Sequence, residues 1–369
     1  MQIRYARPDD APDVVRTFRQ EFEEYFPYYV EEDKNRSFLR RMQRDLEGDG
    51  RPEEIVLVLE YEDEHAGVGA VKLQDHRIEL GSTILRPKFR GETLEDGQSL
   101  FERFAMRGIE IAVNRVQNDS EPARMIYSEL LADQSALTQY AMSRVDFGVT
   151  GIYDKKKMTV YSEKGRGTLV DQLWADSRIP TDNRKVYLPP EKHDLVKLVL
   201  KNLNEKRSDD PIERDLSDGD IDPGNQRFQV EKSVEGEPIN KAELQVTVSD
   251  SGNYDWSDVL KELSETQNNL DNDEDDYWIG LSLDANHPSA RGSIEELQDV
   301  GFDVVGFNPA RLQKDQQLRD AFELQYSPDS CCYVTHFTHE AAKLVRESDL
   351  CYKIPEIITE YDTSEALAV

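Results

Sequence analysis

The chain has 369 residues, of which 75 are Asp or Glu and 45 are Lys or Arg, so its formal net charge is −30 and its pI is about 4.6. A surface of that sign repels phosphate backbones, which excludes general nucleic-acid binding. At roughly 100 to 200 residues per domain the length fits two domains or one large one, and the spread of Tyr, Phe and Trp through periodic segments excludes a disordered chain.

Gln2 to Ala6 is predicted as a short strand, and Arg7-Pro8-Asp9-Asp10 supplies a helix start, with the acids facing the positive end of the dipole. Val14, Val15, Phe18 and Phe22 then recur at helical spacing, and a second helix is expected from Glu32 to Leu46. Strand-like runs follow at Glu54 to Tyr61, Gly67 to Gln74 and Arg77 to Leu85, with the polar turn Glu62 to His65 between the first two. Apolar positions from Leu100 to Val116 predict a helix over Gln98 to Val116. A strand at Ala123 to Leu131, a helix at Gln134 to Val145 and a strand at Phe147 to Tyr153 complete the first half. The order is β-α-α-β-β-β-α-β-α-β.

The second half repeats this alternation. After Arg178 to Asn183 come a strand at Lys185 to Leu188 and an amphipathic helix introduced by Pro189-Pro190. Ser208 to Asn225 carries seven acids and one Arg and is expected to be an exposed loop. Strands are predicted at Arg227 to Val234, Lys241 to Val248, Tyr277 to Leu283, Phe302 to Asn308 and Phe322 to Tyr326, with helices at Trp256 to Leu270 and Ser289 to Val300. Val145-Asp146-Phe147-Gly148-Val149-Thr150-Gly151-Ile152 aligns with Val300-Gly301-Phe302-Asp303-Val304-Val305-Gly306-Phe307, 155 residues later. A helix, a tight turn and a Gly-bearing strand also form a common αβ join, so it is the shared element order that makes the case for tandem related domains.

The N-terminus has no apolar signal-peptide core, and no stretch approaches the roughly 18 consecutive apolar residues of a membrane span, so a cytoplasmic protein without membrane contact is expected. Cys331, Cys332 and Cys351 lack the spacing of a zinc site, and no metal is expected. The 27 Arg outnumber the 18 Lys. A self-repelling coat of this kind is screened at about 1 M salt, where the Debye length is roughly 3 Å, and the composition resembles that of cytoplasmic proteins from salt-in halophiles. The other reading is that the charge only confers solubility.

Three segments carry a family resemblance: Ile3 to Asp10, Ile84 to Gly91 and Phe147 to Gly151. With the element order, they resemble the GNAT N-acetyltransferase family. The resemblance implies an α+β fold of two tandem lobes, each a splayed, mostly antiparallel sheet packed with helices. Residues 1–165 would form the acyltransferase domain, 166–184 a linker, 185–350 a degenerate second lobe and 351–369 a tail. It further implies acetyl-CoA or another acyl-CoA as cosubstrate and a small-molecule or peptide amine as acceptor, and it leaves the oligomeric state open, a homodimer included.

In that family the end of the fourth strand, here Ile84 and Leu85, pairs with pantetheine amides, and a loop of the type Arg/Gln-x-x-Gly-x-Gly/Ala cradles the pyrophosphate at a helix N-terminus. The corresponding residues are Arg90 and Gly91, with the helix beginning near Leu94. Counted from Arg90, Thr93 and Glu95 stand where small residues are needed, and Glu92 and Asp96 add further carboxylates. A carboxylate beside a phosphate costs on the order of 1 kcal/mol even in water. Thr93 to Asp96 also reads as a capping box.

Acyl transfer needs a base for the substrate ammonium and an acid for the departing thiolate. Glu79 is the candidate base, although a strand Glu is more often an ordinary solvent-facing residue. Tyr140 is the candidate acid, because Met142 holds the position where many members have Tyr; Asp146 replaces the usual Gly of the turn. His336 to Glu340 reads H-x-x-H-E, which is not the order of a zinc protease, and Lys155 to Lys157 with Lys164 and Arg166 forms a basic cluster. The leading reading is an acyl-CoA-dependent N-acyltransferase. The alternative is a catalytically inactive protein that keeps the fold for ligand sensing or protein interaction.

Overall fold

The computed structural model describes residues 1–22, 31–48, 52–73, 77–118, 125–131, 137–156, 166–175, 179–207, 210–219, 226–235, 241–270, 278–314, 317–326 and 339–348. The chain divides into two compact units: Met1–Glu129 with Tyr140–Val145, and Leu130–Gln139 with Asp146–Thr359, each taken over its described residues.

In the first unit the sheet runs β1 (Gln2–Tyr5), β2 (Glu54–Tyr61), β3 (Glu64–Leu73), β4 (Arg77–Leu85) and β5 (Met125–Leu131) in that spatial order. The first four pair antiparallel, whereas β5 runs parallel to β4. The β2–β3 connection is a two-residue turn in which Glu62 and Asp63 both hold positive φ, 52° and 61°, the conformation whose twist suits a hairpin. Ile55 to Leu59 of β2 are at most 2% exposed on both faces. Helices α1 (Ala11–Phe22) and α2 (Glu32–Glu47) bring Val14, Phe18, Leu39 and Met42 against Val56, Val58, Val68 and Ile84. On the other side α3 (Leu100–Asn118) packs on β3 and β4, where Gly69 leaves room for the Phe104 ring. Asp10 closes the turn before α1 by accepting from Arg7 N–H at 2.6 Å, and Arg4 ties Asp10 to Glu60. A short helix α4 (Leu137–Ser143) follows β5.

The second unit holds β6 (Phe147–Lys156), β7 (Arg166–Trp174), β10 (Phe228–Glu235), β11 (Lys241–Val248), β12 (Trp278–Asp284), β13 (Phe302–Lys314) and β14 (Gln317–Tyr326) in the spatial order β7-β6-β13-β14-β12-β11-β10. Here β11 and β12 are the parallel pair. A separate two-stranded parallel sheet joins β8 (Arg184–Tyr187) and β9 (Arg214–Ser217). Helix α5 (His193–Asn204) packs on β6 and β13, and α7 (Ala290–Asp299) packs on β13. Helix α6 (Trp256–Leu270) lies between β11 and β12 in sequence, and α8 (His339–Glu347) packs on β6 and α5.

The two aligned octapeptides recur as geometry. Asp146 and Gly301 both hold positive φ, 67° and 99°. Phe147 and Phe302 follow, 0% and 4% exposed. The β6–β7 ladder slips between Val149 and Gly151, and the β13–β14 ladder slips at the equivalent Val304 and Gly306. The two hairpins then meet through Gly151 opposite Gly306. A Cβ on Gly306 would lie 2.6 Å from Gly151 Cα and 2.6 Å from the Thr150 carbonyl, so this crossing requires glycine.

Several expectations shift. Residues 166–174, expected to be linker, form β7, and residues from Asp146 on, expected in the first domain, belong to the second compact unit, where β6 pairs with β13. The acidic stretch from Ser208 contains strand β9, whose Arg214 is buried against Asp320. The helix expected from Gln98 begins at Leu100. Residues 351–369 lie outside the described residues.

Candidate active site

Strands β4 and β5 are in register over only three pairs, Arg77 with Met125, Ile78 with Ile126 and Glu79 with Tyr127. Beyond them Ser128 Oγ donates to the Leu80 carbonyl at 2.8 Å, and β4 continues to Leu85 with no further ladder to β5 among the described residues. The parallel pair therefore forks, and the backbone of Gly81 to Leu85 forms one arm. Ile84 and Leu85 lie on that arm, paired on their other edge with Val68 and Gly67.

Glu79 stands at the point of the fork. Its Oε1 accepts from Lys72 Nζ at 3.0 Å, and its side chain is 16% exposed. The Tyr127 hydroxyl lies 3.4 Å from the other carboxylate oxygen. Gly81 makes this possible: a Cβ there would come within 2.8 Å of Glu79 Oε1. Arg77 sits over the Tyr127 ring, 5.8 Å from its centre. A carboxylate flanked by an ammonium and a phenol can receive a proton on one side while a donor stands on the other.

Tyr140, the candidate acid read from sequence, is 42% exposed on α4, and its hydroxyl has no hydrogen-bond partner among the described residues. Met142 is buried in that helix at 3% exposure, and Gln139 is buried there too. The structure thus brings Tyr127 to Glu79, and sequence reasoning missed it. Strand alternation on β5 gives only the face of Tyr127; the register that sets it opposite Glu79 comes from the structure.

The segment after β4 differs from its sequence reading. Arg90 Nε donates to the Leu85 carbonyl at 3.1 Å, folding the cation back onto the strand end. Gly91 follows with φ 80°. Thr93 and Ser99 then bridge, with Leu94 N–H donating to the Gln98 carbonyl at 2.7 Å, so residues 93–99 form a tight hairpin and no helix starts at Leu94. The capping box lies six residues later. Glu102 N–H donates to Ser99 Oγ at 3.1 Å, and Ser99 N–H donates to Glu102 Oε2 at 2.8 Å. Glu102 is buried and held by Arg144 Nε at 2.9 Å. Asp96 accepts from Gln98 N–H at 3.1 Å and pairs with Arg103.

These observations test acyl-CoA against the residues present. The free arm of β4 fits an amide-bearing pantetheine chain. The start of α3 fits a pyrophosphate poorly, because Asp96 and Glu102 hold the Gln98 and Ser99 N–H groups just before the helix, and the Glu92 carbonyl and Ser99 Oγ hold those of Leu100 and Glu102. Among the described residues no group of three or more His, Cys, Asp or Glu could hold a metal ion, and no helix is long and apolar enough to cross a membrane. His336 and most of the basic cluster from Lys155 to Arg166 fall outside the described residues or side chains.

The element order of the first half and its splayed, mostly antiparallel sheet packed with helices are those the GNAT resemblance implies. No family model matches the chain, and no curated protein matches it significantly. Among solved structures it is similar to a ribosomal-protein-alanine N-acetyltransferase from Brucella melitensis, at 17% identity over 47% of this chain and 98% of the other, with a TM-score of 0.36. A putative acetyltransferase from Salmonella typhimurium, solved with its cofactor acetyl-CoA, matches at 15% identity over 47% and 92%, with a TM-score of 0.33. An N-acetyltransferase from Thermoplasma acidophilum, in complex with coenzyme A, matches at 12% identity over 46% and 96%, with a TM-score of 0.32. Overlays this loose leave the functional reading to the strand order and the residues of the fork.

Proposed function

We propose that the protein is an N-acyltransferase that moves an acetyl or other acyl group from a thioester to an amine at the β4–β5 fork. The supporting observation is the coincidence of a free strand edge with a carboxylate at its root: β4 outruns its parallel partner after Glu79, and Glu79 has Lys72 and Tyr127 on its two oxygens. The amine nitrogen attacks the thioester carbonyl, a C–N bond forms and the C–S bond breaks. Glu79 takes the proton lost by the ammonium, directly or through a water, and a tyrosine hydroxyl returns a proton to the thiolate. Tyr127 is better placed for that return than Tyr140. Arg90 and Gly91 shape the end of the donor arm.

The test is thiol release from acetyl thioesters in the presence of a panel of amines, including a polyamine and peptide N-termini, at molar KCl, where a coat of net charge −30 is screened. Amine-dependent thiol release is expected. Its absence with every amine and donor, in protein shown to be folded, sinks the reading. The occupied N-terminus of α3 favours a second reading, a ligand-binding protein without turnover, which thioester binding without thiol release would identify.

A further inference from the structure

A helix N-terminus attracts phosphate because its first N–H groups are unsatisfied. At the start of α3 that condition is largely removed, with Phe101 N–H the one early helical donor for which no partner is found among the described residues. Gln98 N–H donates to Asp96 Oδ1 at 3.1 Å, Ser99 N–H to Glu102 Oε2 at 2.8 Å, and Glu102 N–H to Ser99 Oγ at 3.1 Å. Leu100 N–H donates to the Glu92 carbonyl at 3.1 Å. The Glu102 side chain is 5% exposed, and its second oxygen is paired with Arg144, so the cap is anchored from two sides. A diphosphate arriving here would have to displace a buried, ion-paired carboxylate and then lie beside Asp96, with Glu95 in the same hairpin and Glu92 just before it. The nearest loop cation, Arg90, turns its Nε to the Leu85 carbonyl.

The strand arm is the opposite case. From Gly81 to Leu85 the backbone lacks a ladder partner toward β5 among the described residues, although side chains of Thr83 and Arg90 donate to the Gly81 and Leu85 carbonyls, and an extended chain bearing amides adds to such an edge as a further strand would. We propose that the protein recognises its acyl donor through the pantetheine arm alone and gains nothing from the nucleotide that CoA carries, so that its donor class is pantetheine thioesters in general. This inference rests on the acyl-transfer reading and specifies its donor. Glu102 and Asp96 are the specificity determinants, because they take the Ser99 and Gln98 N–H groups at the helix entrance and set two carboxylates where a pyrophosphate would lie.

The test is calorimetric titration of the full-length chain with CoA, pantetheine and adenosine 3′,5′-bisphosphate. It is run at the lowest KCl concentration that keeps the folded circular dichroism spectrum, so that screening does not hide a phosphate interaction. The expected result is CoA and pantetheine dissociation constants within about threefold of each other, with no saturable heat from the bisphosphate. CoA binding more than threefold tighter than pantetheine, or saturable binding of the bisphosphate, overturns the proposal and leaves acyl transfer standing. Binding of neither CoA nor pantetheine overturns both, since the β4 arm is then no donor site. The double substitution Glu102→Gln with Asp96→Asn keeps neutral acceptors at both caps and removes two charges. It is expected to tighten CoA at least about threefold with pantetheine unchanged, and an unchanged CoA affinity would count against the closed helix as the determinant.

Discussion

Beside the separate β8–β9 sheet, each unit carries one parallel strand pair among its described residues, and the two pairs part differently. In the first unit β4 and β5 stay together for three residue pairs and then fork at Glu79. In the second, β11 and β12 stay in register for six, from Lys241 opposite Trp278 to Val246 opposite Leu283. The residues nearby differ accordingly. At the fork a carboxylate is 16% exposed beside a lysine, whereas beside the longer pair Ser282, Asp284 and Glu323 are buried and committed. Ser282 Oγ donates to Glu323 at 2.6 Å, Asn308 Nδ2 donates to it at 3.1 Å, and Arg311 pairs with it at 3.2 Å. One sheet layout thus leaves its polar groups available in one unit and satisfies them internally in the other. Chemistry is expected at the first and stability at the second.

The largest effect that would break this contrast lies in the second unit. Arg214 and Asp320 are both 0% exposed and paired at 2.5 Å, and Asp320 also accepts from Asn286 Nδ2 and Ala310 N–H. Removing one partner strands the other charge in the interior, so Arg214→Met should cost about 3 to 5 kcal/mol in urea unfolding. A loss below about 1 kcal/mol would mean that this polar interior is not what holds the unit together. At the fork the ranking reverses. Glu79→Gln should lower amine-dependent thiol release by about 100-fold or more. Its effect on unfolding should stay under about 1 kcal/mol, because Lys72 is 40% exposed. A large stability loss with unchanged turnover would move Glu79 from the reaction to the scaffold.

A smaller effect concerns the crossing of the two equivalent hairpins. Gly306→Ala inserts a methyl group 2.6 Å from Gly151 Cα, and the strands must separate to admit it. The expected cost is about 1 to 3 kcal/mol. Gly97→Ala is the control for glycine loss at positive φ, since it sits at φ 82° with nothing within 4 Å of the added carbon. If both substitutions cost the same, the close approach of β6 and β13 is not what selects glycine.

Much of this layout was legible in the sequence. The bounds of β2, β4, β11 and α6 follow from apolar runs and helical spacing that no long-range partner disturbs. The repeat was legible because positive φ at residues 146 and 301, and a glycine where two strands touch, leave marks on residue type. Strand β9 was not legible, since its acidic surroundings read as a solvated loop and the partner of Arg214 lies 106 residues away. The start of α3 was half legible. Thr93-x-x-Asp96 and Ser99-x-x-Glu102 both fit a capping box, and only the Thr93 to Ser99 bridge decides between them. At the fork Glu79 could be read from its strand, but Tyr127 became visible only with the register of β5.

The smallest effects sharpen the comparison by their sign. In the first unit burial pushes the His65 imidazole below its ordinary value of 6.5, against the opposing pull of Asp13 and with Arg86 adding to the depression; its Nε2 lies 3.1 Å from Thr17 Oγ1. The unfolded chain therefore takes up a proton at His65 before the folded one does, and stability is lost as pH falls below 6.5. In the second unit burial raises the Asp284 carboxyl above 3.8, opposed by the Asn286 N–H and by Arg319, with Asp320 adding to the rise and Lys314 opposing it. There the folded state holds its proton longer, so the cost of the buried charge is present in full at neutral pH and is relieved as pH falls through the folded value toward 3.8. Urea unfolding between neutral pH and pH about 4 should show the two trends separately by difference. Relative to the parent, His65→Gln should flatten the loss below 6.5, whereas Asp284→Asn should stabilise at neutral pH and lose that advantage on acidification. An Asp284→Asn variant that is destabilised at neutral pH would show that the carboxylate is held by its partners more strongly than burial opposes it.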